Sequence, residues 1–152
     1  MKPEAKKLNE VISGVRLSFN LARARADEMH RDLGATSAMR AVMESLAGGG
    51  EMTVPQIART KSVSRQHIQL IVNRLTGENL VEVRDNPADK RTYLVFLNEH
   101  GLGLFEEIRR REMHELERLS AAFTGNELEV AQTVLSKLND ALKDTMKGTE
   151  ND

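Results

Sequence analysis

The sequence predicts a mostly helical (α+β) fold with six helices and a single two-stranded β-ribbon. Apolar residues recur at three- and four-residue steps in six separate segments, which is the period of an amphipathic helix. One stretch, "VEVRDNPADKRTYLVFL" at residues 81–97, instead has β-branched and aromatic residues on either side of a Pro-containing turn. Residues that cap helices, Thr53 and Thr124 among them, stand directly before helical segments.

The composition is that of a globular protein with the size of one domain. The 152 residues are 39% hydrophobic and 30% charged, and no cysteine is present, which excludes disulfides and thiolate metal ligands. The N-terminus "MKPEAKKLNEVISG" lacks the apolar core of a secretory signal, and no apolar run approaches the roughly 18 residues of a membrane span. We therefore expect a soluble, cytoplasmic protein with no membrane partner.

Signals for catalysis or for a bound cofactor are weak. The four histidines do not have the spacing of a zinc site. "HRD" at residues 30–32 lacks the glycine-rich loop of a kinase, and "GLG" at residues 101–103 lacks the third glycine of a dinucleotide-binding turn. We expect no metal, no cofactor and no enzymatic activity.

Positive charge is concentrated in the middle of the chain. The formal net charge is -1, yet residues 59–91 contain seven basic and only four acidic residues. The rest of the chain is therefore net acidic. This distribution suggests one positive face and a polyanionic partner.

The first two helices are predicted over residues 4–33 and 37–46. Gly34 suits the left-handed residue that ends a helix, and "GGG" at residues 48–50 is predicted to stop the second helix. The third helix begins at Thr53, which has Gln56 in the capping-box position. It is predicted to end near Thr60.

Ser62 is the predicted cap of the fourth helix. An apolar stripe in that helix predicts its buried side, and the opposite side is polar, with Arg65, Gln66, Gln69 and Asn73. A short helix, a short turn and a helix with a polar outer side form the helix-turn-helix pattern, whose second helix enters the major groove of DNA.

The polar side of the fourth helix has the chemistry that base edges require. Arg65 can donate two hydrogen bonds to guanine, and Gln66 and Gln69 can pair in the same way with adenine. Asn73 would touch bases or nearby backbone, and three further residues are expected nearer to phosphate: Ser62, Ser64 and His67. The alternative is an ordinary solvated helix face, but "SRQHIQ" contains no acidic residue in two turns.

The ribbon directly after this helix predicts the wing of a winged helix, whose tip would reach the neighbouring minor groove. Lys90 and Arg91 could contact phosphates or enter that groove, and Arg84 on the first strand is a further candidate. Asp89 is interpreted as orienting Arg91. The alternative is a solvated, charged edge that discourages strand pairing with other chains.

Two more helices are predicted over residues 99–122 and 126–146. The second of them begins with another capping box, "TGNE" at residues 124–127. The terminal "GTEND" is expected to fray.

The stretch from Thr53 to Gly101 resembles the winged-helix core of the MarR family of bacterial transcription regulators. The matching segments are "NRL" at 73–75, "LVEVR" at 80–84, "NPADKR" at 86–91 and "LNEHG" at 97–101. The family usually has threonine at the position of Asn98, and asparagine is an equally good cap.

The resemblance implies a homodimer that binds a pseudo-palindromic operator and regulates transcription, more often by repression. Residues 1–34 and 99–148 would form the helical dimerisation region, and residues 35–98 the DNA-binding domain. It also implies a possible small aromatic effector. The expected dimer contacts are Leu8, Val11, Ile12, Val15, Leu128, Val134, Leu135, Leu138 and Leu142.

Three alternatives remain open at this point. The apolar stripes of the terminal helices could pack on their own domain instead of on a second copy. The winged helix could be a protein-interaction module, which would have no salt-dependent affinity for duplex DNA. A ligand-binding protein or enzyme could use the cleft between the helices, although the sequence offers no convergent acid, base or nucleophile.

Overall fold

The computed structural model describes residues 1–148. It contains α1 (Pro3–Met29), a short 3₁₀-helix (Arg31–Leu33), α2 (Ser37–Gly49), α3 (Val54–Lys61), α4 (Arg65–Gly77), β1 (Val81–Asp85), β2 (Tyr93–Leu97), α5 (Glu99–Ser120) and α6 (Gly125–Gly148). The predicted mostly helical fold with one small antiparallel sheet is confirmed. Two compact units divide the chain, one over Met1–Glu112 and the other beginning at Met113.

The first helix is shorter than the sequence predicts, because α1 ends at Met29 rather than at residue 33. A 3₁₀-turn follows, and Gly34 has the predicted left-handed conformation, with φ +67°. Arg111 Nη1 donates to the carbonyl oxygen of Met29 at 3.0 Å, and Asp27 Oδ1 accepts from the backbone N–H of Ser37 at 2.9 Å. The carbonyl at the end of α1 and the N–H at the start of α2 would otherwise be unpaired. Because Arg111 and Asp27 bind them, the chain can turn here from α1 into α2.

The core of the first unit is formed by α2, α3, α4, the ribbon and the first part of α5, which contributes Phe105 and Ile108. The predicted buried sides of α2 and α4 are confirmed, as Met39, Val42, Met43, Leu46, Ile68, Ile71, Val72 and Leu75. The prediction that "GGG" stops α2 is confirmed: the helix runs beyond the predicted residue 46 to Gly49 and ends at Gly50, which has φ +69°. Glycine inside a helix costs only about 1 kcal/mol, which the packing of the buried side offsets.

The turn between α3 and α4 differs from the prediction in one residue. The predicted capping box at Thr53 is present, with both of its hydrogen bonds to Gln56. Ser62 does not cap α4, because it occupies the left-handed position at the end of α3, with φ +54°. Ser64 is the cap, and its Oγ accepts from the backbone N–H of His67 at 3.1 Å. The turn needs the left-handed residue first, so the cap moves two residues along the chain.

Strands β1 and β2 pair in an antiparallel register that runs from Val81 opposite Leu97 to Asp85 opposite Tyr93. A contact absent from the sequence prediction extends this ribbon. Met52, which precedes α3, forms a bridge with Val95 through hydrogen bonds of 3.0 and 2.7 Å. Strand β2 therefore has β1 on one side and Met52 on the other, and the bridge ties the middle of the ribbon to the helix-turn-helix.

The start of α5 approaches the ribbon closely at Gly101. This glycine is buried, and its backbone N–H donates to Asn98 Oδ1 at 2.8 Å. A Cβ at this position would overlap the carbonyl oxygen of Leu80 and lie 3.1 Å from Cδ2 of Leu97. Glycine is required here because two backbone segments meet without room for a side chain.

The second unit contains the end of α5 and all of α6. The predicted capping box is present, since Thr124 Oγ1 accepts from the backbone N–H of Glu127 and the Glu127 carboxylate accepts from that of Thr124. No residue of α6 is buried. The terminal "GTEND" is predicted to fray, and residues 149–152 of it lie outside the described residues. No helix within residues 1–148 combines the length and apolar character that a membrane crossing requires.

Candidate nucleic-acid interface

The exposed side of α4 carries the four residues that the sequence assigned to base contacts. This polar face is defined by Arg65, Gln66, Gln69 and Asn73, and all four are exposed. Within residues 1–148 the side chains of Arg65 and Gln66 make no hydrogen bond to the protein. Their donors and acceptors are therefore available to a partner.

The N-terminus of α4 lies beside the polar face. Ser64 satisfies one of the free backbone N–H groups of the first turn, that of His67. The remaining first-turn N–H groups and the helix dipole favour an anion at this end. Ser62 and His67 are both exposed here, so the three residues predicted to lie near phosphate are brought together.

Gln69 and Asn73 form a pair one helical turn apart. Gln69 Nε2 donates to Asn73 Oδ1 at 2.8 Å, although both residues are exposed. The bond leaves Gln69 Oε1 and the second hydrogen of its Nε2 unused. One acceptor and one donor on the same amide match the N6 and N7 edge of adenine.

A groove of about 620 Å³ separates α4 from the ribbon. Its walls bring the whole polar face of α4 together with Arg91, Thr92 and Tyr93 of the ribbon. The polar face of α4 and these ribbon residues are about 20 residues apart in the sequence. They become neighbours only because the ribbon packs against the helix. One surface of the first unit therefore presents amides and guanidinium groups side by side.

The tip of the ribbon, residues 86–92, is held by short-range hydrogen bonds. Arg91 is 90% exposed, yet its Nε donates to Asp89 Oδ1 at 3.1 Å and its Nη2 to Asp89 Oδ2 at 3.3 Å. The side chain and the backbone N–H of Arg91 bond to this carboxylate and lower the pKa of Asp89 below its ordinary value. The predicted contact between Asp89 and Arg91 is thus present, and it fixes one direction for a long side chain.

The other two basic residues of the ribbon are in different situations. Lys90 is exposed at the tip, and its ammonium group has no ion-pair partner within residues 1–148. Arg84 is engaged by Glu51, to which its Nε donates at 2.7 Å and its Nη2 makes a second bond. Hydrogen bonds from Arg84 lower the pKa of Glu51. Lys90 is therefore the freer cation, and Arg84 already has its charge paired.

Sequence reasoning missed Leu70, which is 65% exposed on α4. The signal was available, because a period of 3.6 residues puts Leu70 close to Gln66 and away from the buried stripe. Leu70 therefore lies at the edge of the polar face, next to Gln66, and belongs to the same exposed side of α4.

The terminal helices present apolar side chains to solvent, each in its own unit. None of the residues of α1 is buried, and Leu8, Val11 and Val15 are between 40% and 45% exposed. In the second unit α6 has the same property. The exposed apolar side chains on α6 include Leu128, Val134, Leu135 and Leu142, while Ile12 on α1 and Leu138 on α6 are half-buried.

A cluster of polar side chains around the buried His30 lies away from the interface. His30 is 2% exposed, and its Nε2 lies 3.5 Å from Oε1 of Glu112, which Arg40 binds with two hydrogen bonds of 2.7 and 2.8 Å. The cluster joins the end of α1 to α2 and α5 within the first unit. No group of three or more His, Cys, Asp or Glu side chains in the described part of the chain is arranged to hold a metal ion.

Several known proteins are similar to this chain in sequence. A model of the MarR family matches residues 36–92, from the start of α2 to the tip of the ribbon. An uncharacterized protein of Mycobacterium tuberculosis is 32% identical over 99 residues, which are 65% of this chain and 69% of that protein. The HTH-type transcriptional repressor MdtR of Bacillus subtilis is 26% identical over 140 residues, 90% of each chain.

Two crystal structures extend the likeness to the fold. The MarR family transcription regulator SP03579 is 26% identical, with a TM-score of 0.82 over 95% of both chains. A mutant MarR of Escherichia coli in complex with operator DNA is 27% identical, with a TM-score of 0.74 over 86% of this chain and 96% of that one. In both comparisons the match covers most of this chain and nearly all of the known structure.

Proposed function

The chain belongs to the MarR family of transcription regulators, and from this premise we propose that it is a homodimer that binds a pseudo-palindromic operator in duplex DNA. In this proposal α4 is the recognition helix and the β1–β2 ribbon is the wing. The observation that carries it is the groove in which the polar face of α4 and Arg91 of the wing lie together.

The proposed contacts divide by chemistry. Arg65, Gln66, Gln69 and Asn73 would reach base edges in the major groove, and the wing residues Lys90 and Arg91 would contact phosphates or the adjacent minor groove. Backbone N–H groups and side chains at the start of α4 would bind phosphate. Arg84 contributes less, because its guanidinium is already bound by Glu51.

The exposed apolar sides of α1 and α6 support the homodimer. Each fully buried leucine or valine stabilises a protein by about 1.5–3 kcal/mol, so long helices with exposed apolar residues gain from an apolar partner surface. A second copy offers the same surface through a two-fold axis. Such a dimer would set two recognition helices about 34 Å apart, one turn of DNA.

The direct test is selection of bound duplexes from a random DNA pool. We expect a consensus with two inverted half-sites, and an affinity that falls steeply as salt concentration rises. A protein-interaction module would retain no duplex above background and would show no salt slope. That result would contradict the proposal.

Repression is proposed for the direction of regulation, supported by the relative from Bacillus subtilis that is named a repressor. A reporter gene placed behind the selected operator should be silenced by the wild type. Release by a small aromatic effector stays a prediction, and adding simple phenolic acids to the operator complex is its test.

Replacing Gln69 should change which sequence is preferred more than how tightly DNA is held. Gln69→Ala removes the amide that matches adenine but no charge. We expect the consensus selected by the variant to lose its base preference at one position of each half-site. The slope of log K against log salt concentration should stay that of the wild type. An unchanged consensus would contradict the assignment.

Two glutamates on the apolar side of α6 should separate the dimer. Leu135→Glu with Leu142→Glu would bury charge in the proposed interface, and we expect sedimentation velocity to show mainly monomer at micromolar concentration. Thr133→Glu, on the opposite side of the same helix, is the matched control and should remain dimeric. A double variant with the mass of the wild-type dimer would exclude α6 from the interface.

A further inference from the structure

Leu70 is the apolar residue of the recognition helix that the fold does not bury. The four core residues of α4 (Ile68, Ile71, Val72 and Leu75) are at most 9% exposed, whereas Leu70 is 65% exposed. It lies four residues after Gln66 and three before Asn73, so the three side chains share one side of the helix. A leucine here adds nothing to the core, and a polar residue would suit a merely solvated face better.

The major groove offers one apolar group on its base edges, the C5-methyl of thymine. A leucine between two amides fits an edge on which that methyl lies beside hydrogen-bonding groups. A G·C pair in the same place would put the polar edge of cytosine or guanine against the leucine, and desolvating an unpaired polar group is unfavourable.

We propose that Leu70 determines operator specificity by packing against the methyl group of a thymine in each half-site. This inference rests on the proposed function and names the base-pair type, A·T, that the centre of the recognition helix selects. Gln66 and Asn73 would bond to the neighbouring base edges, and Leu70 would discriminate by shape and hydration rather than by hydrogen bonding.

The surroundings of Leu70 favour DNA over a protein as its occupant. Leu70 itself does not line the groove between α4 and the ribbon, but Gln66, one turn before it, lines that groove together with Arg65 and Arg91. Residues 59–91 also carry an excess of basic residues. Protein-binding sites centre on a larger apolar patch. Here the neighbours of Leu70 at three- and four-residue steps along α4 are all polar: Gln66, His67, Asn73 and Arg74.

The test is a thymine-to-uracil scan of the selected operator. Each thymine in turn is replaced by deoxyuridine in both half-sites, which removes the methyl group and leaves every hydrogen-bonding group in place. Burial of one methyl group corresponds to about a fourfold change in affinity, so we expect one position at which the wild type binds about fourfold more weakly per half-site.

Leu70→Ala should bind the thymine and uracil operators equally at that position, because the alanine side chain is too short to reach the methyl group. Val63→Ala is the control, since Val63 is a second exposed apolar residue, 42% exposed, in the turn before α4. It should keep the wild-type preference for thymine. Thermal unfolding of both variants checks that their folding is unchanged.

The outcomes separate this inference from the proposed function. If the wild type binds its operator with a salt-dependent affinity but no uracil substitution weakens it, or if Leu70→Ala keeps the full loss at the same position, the role of Leu70 is wrong and DNA binding stands. If the wild type retains no duplex at all, the proposed function falls and this inference falls with it.

Discussion

Gly101→Ala is expected to lower the free energy of unfolding by about 3 kcal/mol, the upper part of the range for overpacked sites. The new Cβ would overlap the carbonyl oxygen of Leu80, which is backbone and cannot rotate away. That carbonyl accepts from the backbone N–H of Asn98 at 3.2 Å, and Asn98 in turn binds the N–H of Gly101. A shift at Gly101 therefore disturbs both hydrogen bonds that join the ribbon to α5, the one to the Leu80 carbonyl and the one from the Gly101 N–H.

Chemical denaturation gives the measurement, and thermal unfolding should show a fall of roughly 6–12 °C in Tm. Gly103→Ala is the matched control in the same helix, because a Cβ there meets nothing within 4 Å. It should be neutral or stabilising by up to about 1 kcal/mol, the helix-propensity difference between the two residues. Equal Tm values for the two variants would show that the junction yields easily and that glycine is not required.

Arg91→Ala is expected to weaken operator binding about tenfold near physiological salt. Each wing loses one cation that would lie at a phosphate or in the minor groove, so a dimer loses two. The slope of log K against log salt concentration should become shallower by about 2, since each released contact contributes roughly 0.9. Fluorescence anisotropy across a salt series measures both quantities, and a variant that matches the wild type in both would remove the wing from the interface.

Asp89→Asn separates orientation from net charge at the same tip. Charge counting predicts tighter DNA binding when an acid is removed, but the variant loses the carboxylate that bonds Arg91 through both Nε and Nη2. We expect weaker binding because Arg91 then loses its fixed direction. Asp85→Asn, which removes an acid at the end of β1 without touching Arg91, is the control and should bind slightly more tightly. Tighter binding by both variants would support charge counting alone.

The helices and their caps could be predicted because their causes are local. A capping box needs only Thr53 and Gln56, or Thr124 and Glu127, and each pair lies three residues apart in the sequence. An amphipathic stripe such as that of α4 is equally visible in one segment. Where a tertiary partner decided the outcome, prediction failed: α1 ends at Met29, whose carbonyl is bound by Arg111, a residue 82 positions away.

In the candidate interface, too, features with local causes could be predicted and those that depend on distant residues could not. Which side of α4 is exposed could be predicted from periodicity, and the contact of Asp89 with Arg91 spans two residues. The pairing of Arg84 with Glu51 joins residues 33 positions apart and could not be read from either segment. Leu70 is a different case: periodicity alone places it on the exposed side of α4, but no role was predicted for it.

The bridge between Met52 and Val95 supports the wing at the middle of its paired strands, where Val95 lies opposite Val83, and the tip at residues 86–92 extends beyond that support. The ion pair of Arg84 with Glu51 holds β1 one residue pair closer to the tip. Lengthening or replacing the tip at residues 86–92 should therefore leave the support undisturbed, and changes at Met52 should alter the angle of the whole arm. In the proposed function, the tip can therefore change its minor-groove contacts while the domain that supports it keeps its stability.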